Sequence, residues 1–138
     1  MTKGSCMCGE IVYEYTGEPQ VTALCHCTDC QKWSGGAYTS NVVVPRADFH
    51  VTKGSPKHYN VKGDSGKMND HWFCGTCGSS LYTELEVMAD AVCIKAGSID
   101  DKSVRDFSKT GVEFYTKNRM GYSAPVQGAD QKPAFVDS

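Results

Sequence analysis

Cys25-His26-Cys27-Thr28-Asp29-Cys30 places three thiols within six residues, and its reading decides the fold. Outward from it lie two more cysteine clusters, Cys6/Cys8 in Gly4-Ser5-Cys6-Met7-Cys8-Gly9 and Cys74/Cys77 in Phe73-Cys74-Gly75-Thr76-Cys77-Gly78-Ser79. Seven of the eight cysteines therefore sit in tight clusters, whereas cross-links stabilise most when they bridge distant loops. Eight in 138 residues is also below the roughly 8–10% that marks a disulfide scaffold. The N-terminus, Met1-Thr2-Lys3-Gly4-Ser5, carries no apolar signal stretch, so a reducing, cytoplasmic setting is expected. Thiolate–metal coordination is the remaining reading, with zinc as the default ion.

The rest of the composition is that of an ordinary soluble globular chain. Apolar residues make up 40% and charged residues 22%, with a net charge of −2. That balance disfavours nucleic acid as a partner, and no apolar run approaches the roughly 20 residues of a membrane span. Periodicity favours strands at 10–15, 21–27, 37–44, 49–53, 57–62, 70–73, 80–87 and 91–99, separated by turns such as Gly54-Ser55-Pro56 and Gly63-Asp64-Ser65-Gly66. Only the turn after Cys27 and the stretch 83–90 admit helix. The expected fold is mainly β, antiparallel, with a few short helical turns. Residues 1–123 are expected to form one domain, followed by a Pro- and Gly-rich, loosely attached tail at 124–138.

Side chains at i and i+2 of a strand share a face, so Cys6 with Cys8, and Cys25 with Cys27, can converge on one ion. C-x-x-C does the same through a tight turn, at Cys74–Cys77 and again at Cys27–Cys30. A closed structural zinc takes four ligands and a catalytic one characteristically takes three. Seven cysteines can thus divide as Cys6, Cys8, Cys74 and Cys77 against Cys25, Cys27 and Cys30. They can also divide by joining the two C-x-x-C pairs. Spacing alone leaves both open.

Those three motifs, together with Gln31-Lys32-Trp33-Ser34-Gly35 after the middle one and Ala96-Gly97-Ser98-Ile99-Asp100 later, resemble the glutathione-dependent formaldehyde-activating enzyme family, which includes centromere protein V. The resemblance runs from about residue 4 to residue 122. It implies a β-tent fold of small sheets clamped by a structural zinc on Cys6, Cys8, Cys74 and Cys77. It also implies a catalytic zinc on Cys25, Cys27 and Cys30, hence two zincs per chain. The implied activity is that of a carbon–sulfur lyase on glutathione adducts, with glutathione as co-substrate and S-hydroxymethylglutathione as the model product.

The open trio would leave a coordination position for a thiolate, which suits making or breaking a carbon–sulfur bond. Lys32, beside the trio, is the first candidate to contact anionic glutathione, with Arg46 and Arg119 behind it. Trp33, Tyr38 and Tyr122 are candidate pocket walls that equally suit a core. His26 is expected to be packed or exposed rather than ligating; Asp29 suits a turn or cap, and His71 a strand. No acid–base residue is assigned. Cys93, within Ala91-Val92-Cys93-Ile94, reads as a buried hydrophobe. A small-molecule thiol adduct is the expected partner. Two other classes remain: a non-catalytic zinc-stabilised binding module, and a methionine sulfoxide reductase, which needs an accessible late cysteine.

Overall fold

The computed structural model describes residues 1–104 and 110–135. Two sheets form among them. Strands β1 (Thr2–Ser5), β2 (Val12–Tyr15) and β5 (Phe49–Lys53) make the smaller, in the order β1-β2-β5. The larger contains β3 (Val21–Cys25), β4 (Thr39–Pro45), β6 (Lys57–Lys62), β7 (Met68–Phe73), β8 (Ser80–Leu85), β9 (Ala91–Lys95), β10 (Val112–Phe114) and β11 (Asp130–Gln131). Its order is β11-β10-β3-β4-β9-β8-β7-β6. Pairing is antiparallel except around β10, which runs parallel to both β3 and β11. The mainly-β class expected from the sequence is therefore present, with helical turns few and short.

Helix α1 (Thr28–Ser34) occupies the turn after Cys27, one of the two stretches that admitted helix. Cys27 caps it, its sulfur accepting the Cys30 N–H at 3.3 Å. The other stretch remains β8 through Leu85 and then makes one 3-10 turn at Glu86–Met88. The last expected strand stops at Lys95, where a 3-10 turn at Ala96–Ser98 takes over. Strands β1, β10 and β11 were not expected. Thr2-Lys3-Gly4-Ser5 has little apolar character, and its strand form comes from pairing with β2.

Strand alternation gives the larger sheet two faces. Val42 and Val44 of β4, Val92 and Ile94 of β9, and Tyr82 of β8 point into the core with Tyr13, Tyr15 and Phe49 of the smaller sheet and with Ile11 just before β2. The intervening residues line a cleft on the other face: Ala23 and Cys25, Asn41 and Val43, Cys93 and Lys95, Thr83, and Asn69 and His71. The register sets Asn41 between Ala23 and Lys95, and Thr83 between Cys93 and His71.

Residues 124–135, expected as a loose tail, are tied down as far as they are described. Strand β11 pairs with β10, the Val126 N–H donates to Glu113 Oε2 at 2.8 Å, and the Phe135 ring lies 5.0 Å from that of Phe114. Composition could not show this, because the partner is a buried carboxylate elsewhere in the chain. Residues 136–138 lie outside the described residues. No helix of the described residues is long and apolar enough to cross a membrane.

Candidate metal centres

The fold gathers the seven clustered cysteines into two groups, one of four and one of three. The sulfurs of Cys6, Cys8, Cys74 and Cys77 all lie within 4.8 Å of one another, as do those of Cys25, Cys27 and Cys30. The alternative that joins the two C-x-x-C pairs is not what the structure builds.

Each half of the four-sulfur group sits on a turn. Cys6 and Cys8 lie past the end of β1 rather than on a strand, so the strand argument for their convergence gives way to a turn. There the Cys6 N–H donates to Ile11 O at 3.1 Å, and the Ile11 N–H donates to Cys6 Sγ at 3.2 Å. Between β7 and β8 the Gly78 N–H closes a turn on Cys74 O at 2.8 Å, with Gly78 at φ 77, a value that favours glycine. The N–H groups of Thr76 and Cys77 both point at Cys74 Sγ, at 3.4 and 3.5 Å. Met7 N–H to Ser79 Oγ at 2.9 Å and Thr76 Oγ1–H to Glu10 Oε2 at 2.5 Å lock the turns together. The group thereby fastens the β1–β2 hairpin to the β7–β8 hairpin of the other sheet.

The donor chemistry fits a zinc ion. Four sulfurs at about 2.3 Å from a tetrahedral centre stand roughly 3.8 Å apart. Here Cys6 and Cys8 are 3.6 Å apart, and Cys8 and Cys74 3.8 Å. Backbone N–H groups aimed at sulfur favour the thiolate form that a metal requires. Ser79, through its hydroxyl and its N–H, draws Cys77 down to about 5. The Glu10 N–H also pulls on Cys8, yet burial and the three neighbouring thiols carry that group up to about 12. Crowded thiols without a cation cannot all ionise, and a dication resolves the conflict.

The trio presents the same conflict. Cys25 is pushed up by hydrogen bonds with Cys27 and Cys30 and by burial. Cys27 is pulled down by Cys25 but pushed further by Cys30 and burial, to about 12. Cys30 falls well below the usual thiol range, stabilised by both neighbours, by the charge of Lys95 and by the Thr39 hydroxyl. Cys25 ends β3, Cys27 caps α1, and Cys30 lies in its first turn, so strand end and helix start together aim three sulfurs at one point. All three line the cleft, whose volume is about 650 Å³. No fourth Cys, His, Asp or Glu of the described residues joins them.

His26, between two of these cysteines, turns away and is fully buried. Its Nε2 meets Glu113 Oε1 at 2.7 Å. Glu113, also fully buried, further accepts from Gln131 Nε2 at 2.7 Å and from Val126 N–H, with Arg119 3.4 Å away. Burial alone would raise this carboxyl, but those four partners hold it at about 2.

The remaining candidates separate clearly. Lys32 is exposed on α1 and does not line the cleft. Arg46 pairs with Glu84 at 2.7 Å, Arg119 belongs to the Glu113 network, and Tyr122 is exposed. Tyr38 packs edge-on to His26 and Trp33 edge-on to His71. Cys93 is buried as expected, although it belongs to the cleft lining, and burial pushes its thiol up, away from the reactive thiolate a sulfoxide reductase needs. Asp29 and His71 do line the cleft. His71 Nδ1 donates to Asn69 O at 3.1 Å, and burial lowers its pKa. Sequence reasoning missed Glu113 and, in the cleft itself, Lys95: buried, with Nζ bonded to Asn41 Oδ1 and, at 3.1 Å, to Thr83 Oγ1. The available signal was period-two alternation in β9, which puts position 95 on the face of 93 and opposite Val92 and Ile94.

A family model described as glutathione-dependent formaldehyde-activating enzyme matches residues 1–118. Among solved structures, a crystal structure of a Rhodobacter sphaeroides protein is similar, with a TM-score of 0.58 and 20% identity. The match covers 71% of this chain and 87% of that one, and at this identity it shows a shared fold alone. No curated protein matches the chain.

Proposed function

We propose, from the premise that this chain belongs to the glutathione-dependent formaldehyde-activating enzyme family, that it is a zinc-dependent carbon–sulfur lyase. It makes or breaks thiol–carbonyl adducts of glutathione or a related thiol in the cytoplasm, without nucleic acid or membrane as partner. Cys6, Cys8, Cys74 and Cys77 hold a structural zinc, and Cys25, Cys27 and Cys30 hold a catalytic one. The observation that carries this reading is the division of sulfurs. One group is complete at four donors and joins two sheets. The other stops at three and faces a cleft of about 650 Å³.

When bound, the zinc would hold the substrate sulfur as thiolate, a nucleophile in addition and a leaving group in cleavage. The protein's own residues do the rest. The β3 end and the capped start of α1 position the three sulfurs that would hold the metal, and all three line the cleft through which a substrate would approach. His71 lines the same cleft with its Nδ1 proton committed to Asn69 O, so Nε2 carries the lone pair. Burial lowers its pKa, so the neutral ring can take the adduct hydroxyl proton in cleavage; in addition it would take the proton of the incoming thiol and pass it to the carbonyl oxygen.

Metal counting tests the reading. Wild-type protein should carry two zincs per chain and Cys27→Ser one. A cobalt-substituted wild type should change its visible spectrum on adding glutathione, and cobalt-substituted Cys27→Ser should not. One metal per wild-type chain, or a folded Cys27→Ser with full turnover, would refute it.

A further inference from the structure

Lys95 is an ammonium with only 8% of its surface exposed, and its surroundings do not supply the usual counter-charge. Its two hydrogen-bond acceptors, Asn41 Oδ1 and Thr83 Oγ1, are neutral, and its Nζ stands 5.6 Å above the Trp33 ring. Among the described residues no carboxylate forms an ion pair with it, although Asp29, Asp64 and Asp90 line the same cleft. A buried cation without an anion is costly.

The sulfur trio lines the same cleft as Lys95. A hydrogen-bond chain leads from Lys95 toward it as far as Thr39, with every donor pointing the same way. Lys95 Nζ donates to Asn41 Oδ1, Asn41 Nδ2 donates to Thr39 Oγ1 at 3.1 Å, and Thr39 stands directly across the strands from Cys25 of the trio. Asn41 Nδ2 is further anchored on Thr39 O at 3.1 Å and Ala23 O at 3.3 Å, so its amide orientation is set and its oxygen is left for Lys95. Pairing of Asn41 with Lys95 across β4 and β9 makes the arrangement a product of strand register.

Three thiolates and a zinc sum to −1, and a thiolate as fourth ligand brings −2. The ammonium reduces these to 0 and −1, so it favours an anionic fourth ligand over a neutral one. We propose that Lys95 is the counter-cation of the Cys25–Cys27–Cys30 centre and selects a thiolate as its fourth ligand. This rests on the reading that the trio holds a metal. Lys95 is here a positioning residue that acts through Asn41 and Thr39 and through space.

The test uses the full chain loaded with cobalt, titrated separately with 2-mercaptoethanol, whose only charge is its thiolate, and with imidazole, which binds neutral. Visible absorption reports occupancy of the open position without reference to turnover. For Lys95→Met, thiol affinity should fall roughly tenfold to a hundredfold while imidazole affinity stays as in wild type. Lys95→Gln keeps polar contacts to Asn41 and Thr83 and serves as the second variant, with the same expected split. Equal weakening of both ligands, or weakening of neither, would overturn the proposal. A wild type that binds a single cobalt overturns the metal reading itself, a failure visible before any variant is made.

Discussion

At Gly4 the chain has room for a hydrogen and nothing larger. A Cβ there would stand 2.1 Å from Tyr13 Cζ and Oη, because β1 crosses the face of that ring in register. The ring cannot retreat: Tyr13 is fully buried, its hydroxyl is bonded to Ser98 Oγ at 2.6 Å, and its ring packs 5.3 Å from Phe49. Gly4→Ala should therefore cost about 2–3 kcal/mol, read as a lower denaturant midpoint at unchanged slope. A midpoint equal to that of wild type would mean the ring yields. At this scale the cysteines were legible, since C-x-C and C-x-x-C spacing is itself the chemistry. Lys95 and Glu113 were not. Each is a charged residue in a short strand whose meaning depends on partners far away in sequence, Asn41 for one and His26 for the other.

Strand β10 shows what local pattern omits. Val112-Glu113-Phe114 is three residues long, and its strand form comes from parallel pairing with β3 and β11. The longer strands announced themselves by β-branched and aromatic runs. Helix α1, at seven residues, is too short for a stripe and is started by the cap that Cys27 supplies. The purpose of β10 is Glu113, which ties the loop between Cys25 and Cys27 to the 126–131 segment through His26, Val126 and Gln131. Its folded pKa of about 2 lies below the ordinary 4.5, so its contribution is complete above the unfolded value. That contribution, about 3 kcal/mol, is lost as pH falls through the window down to about 2. Glu113→Gln should be destabilised by about 2–3 kcal/mol at pH 7, and its deficit against wild type should shrink below about pH 4.5. Chemical denaturation of the two proteins at pH 7, 5 and 3.5 measures this. A deficit independent of pH would show that the charge of Glu113 does not carry the tie.

Across the whole molecule, the two proposed zincs have different burdens. The four-cysteine centre is where the three-stranded sheet and the eight-stranded sheet are fastened, through Cys6 and Cys8 after β1 and Cys74 and Cys77 after β7. A structural zinc contributes about 10–16 kcal/mol of apparent binding energy, as large as the entire stability of a typical domain. Losing it should unfold the chain. The trio lies at the end of β3 and the start of α1, elements already held by the sheet register and by the Glu113 network, and it faces open cleft. Losing its metal should leave the fold standing. A chelator titration followed by zinc release and by circular dichroism should then run in two phases: one zinc leaves with the spectrum intact, and the second leaves as strand signal collapses. Cys74→Ser should abolish the second phase by failing to fold, whereas Cys27→Ser should lack only the first. A single phase, or collapse with the first zinc, would mean that the cleft metal also holds the sheets, and the division of labour between four sulfurs and three would fall.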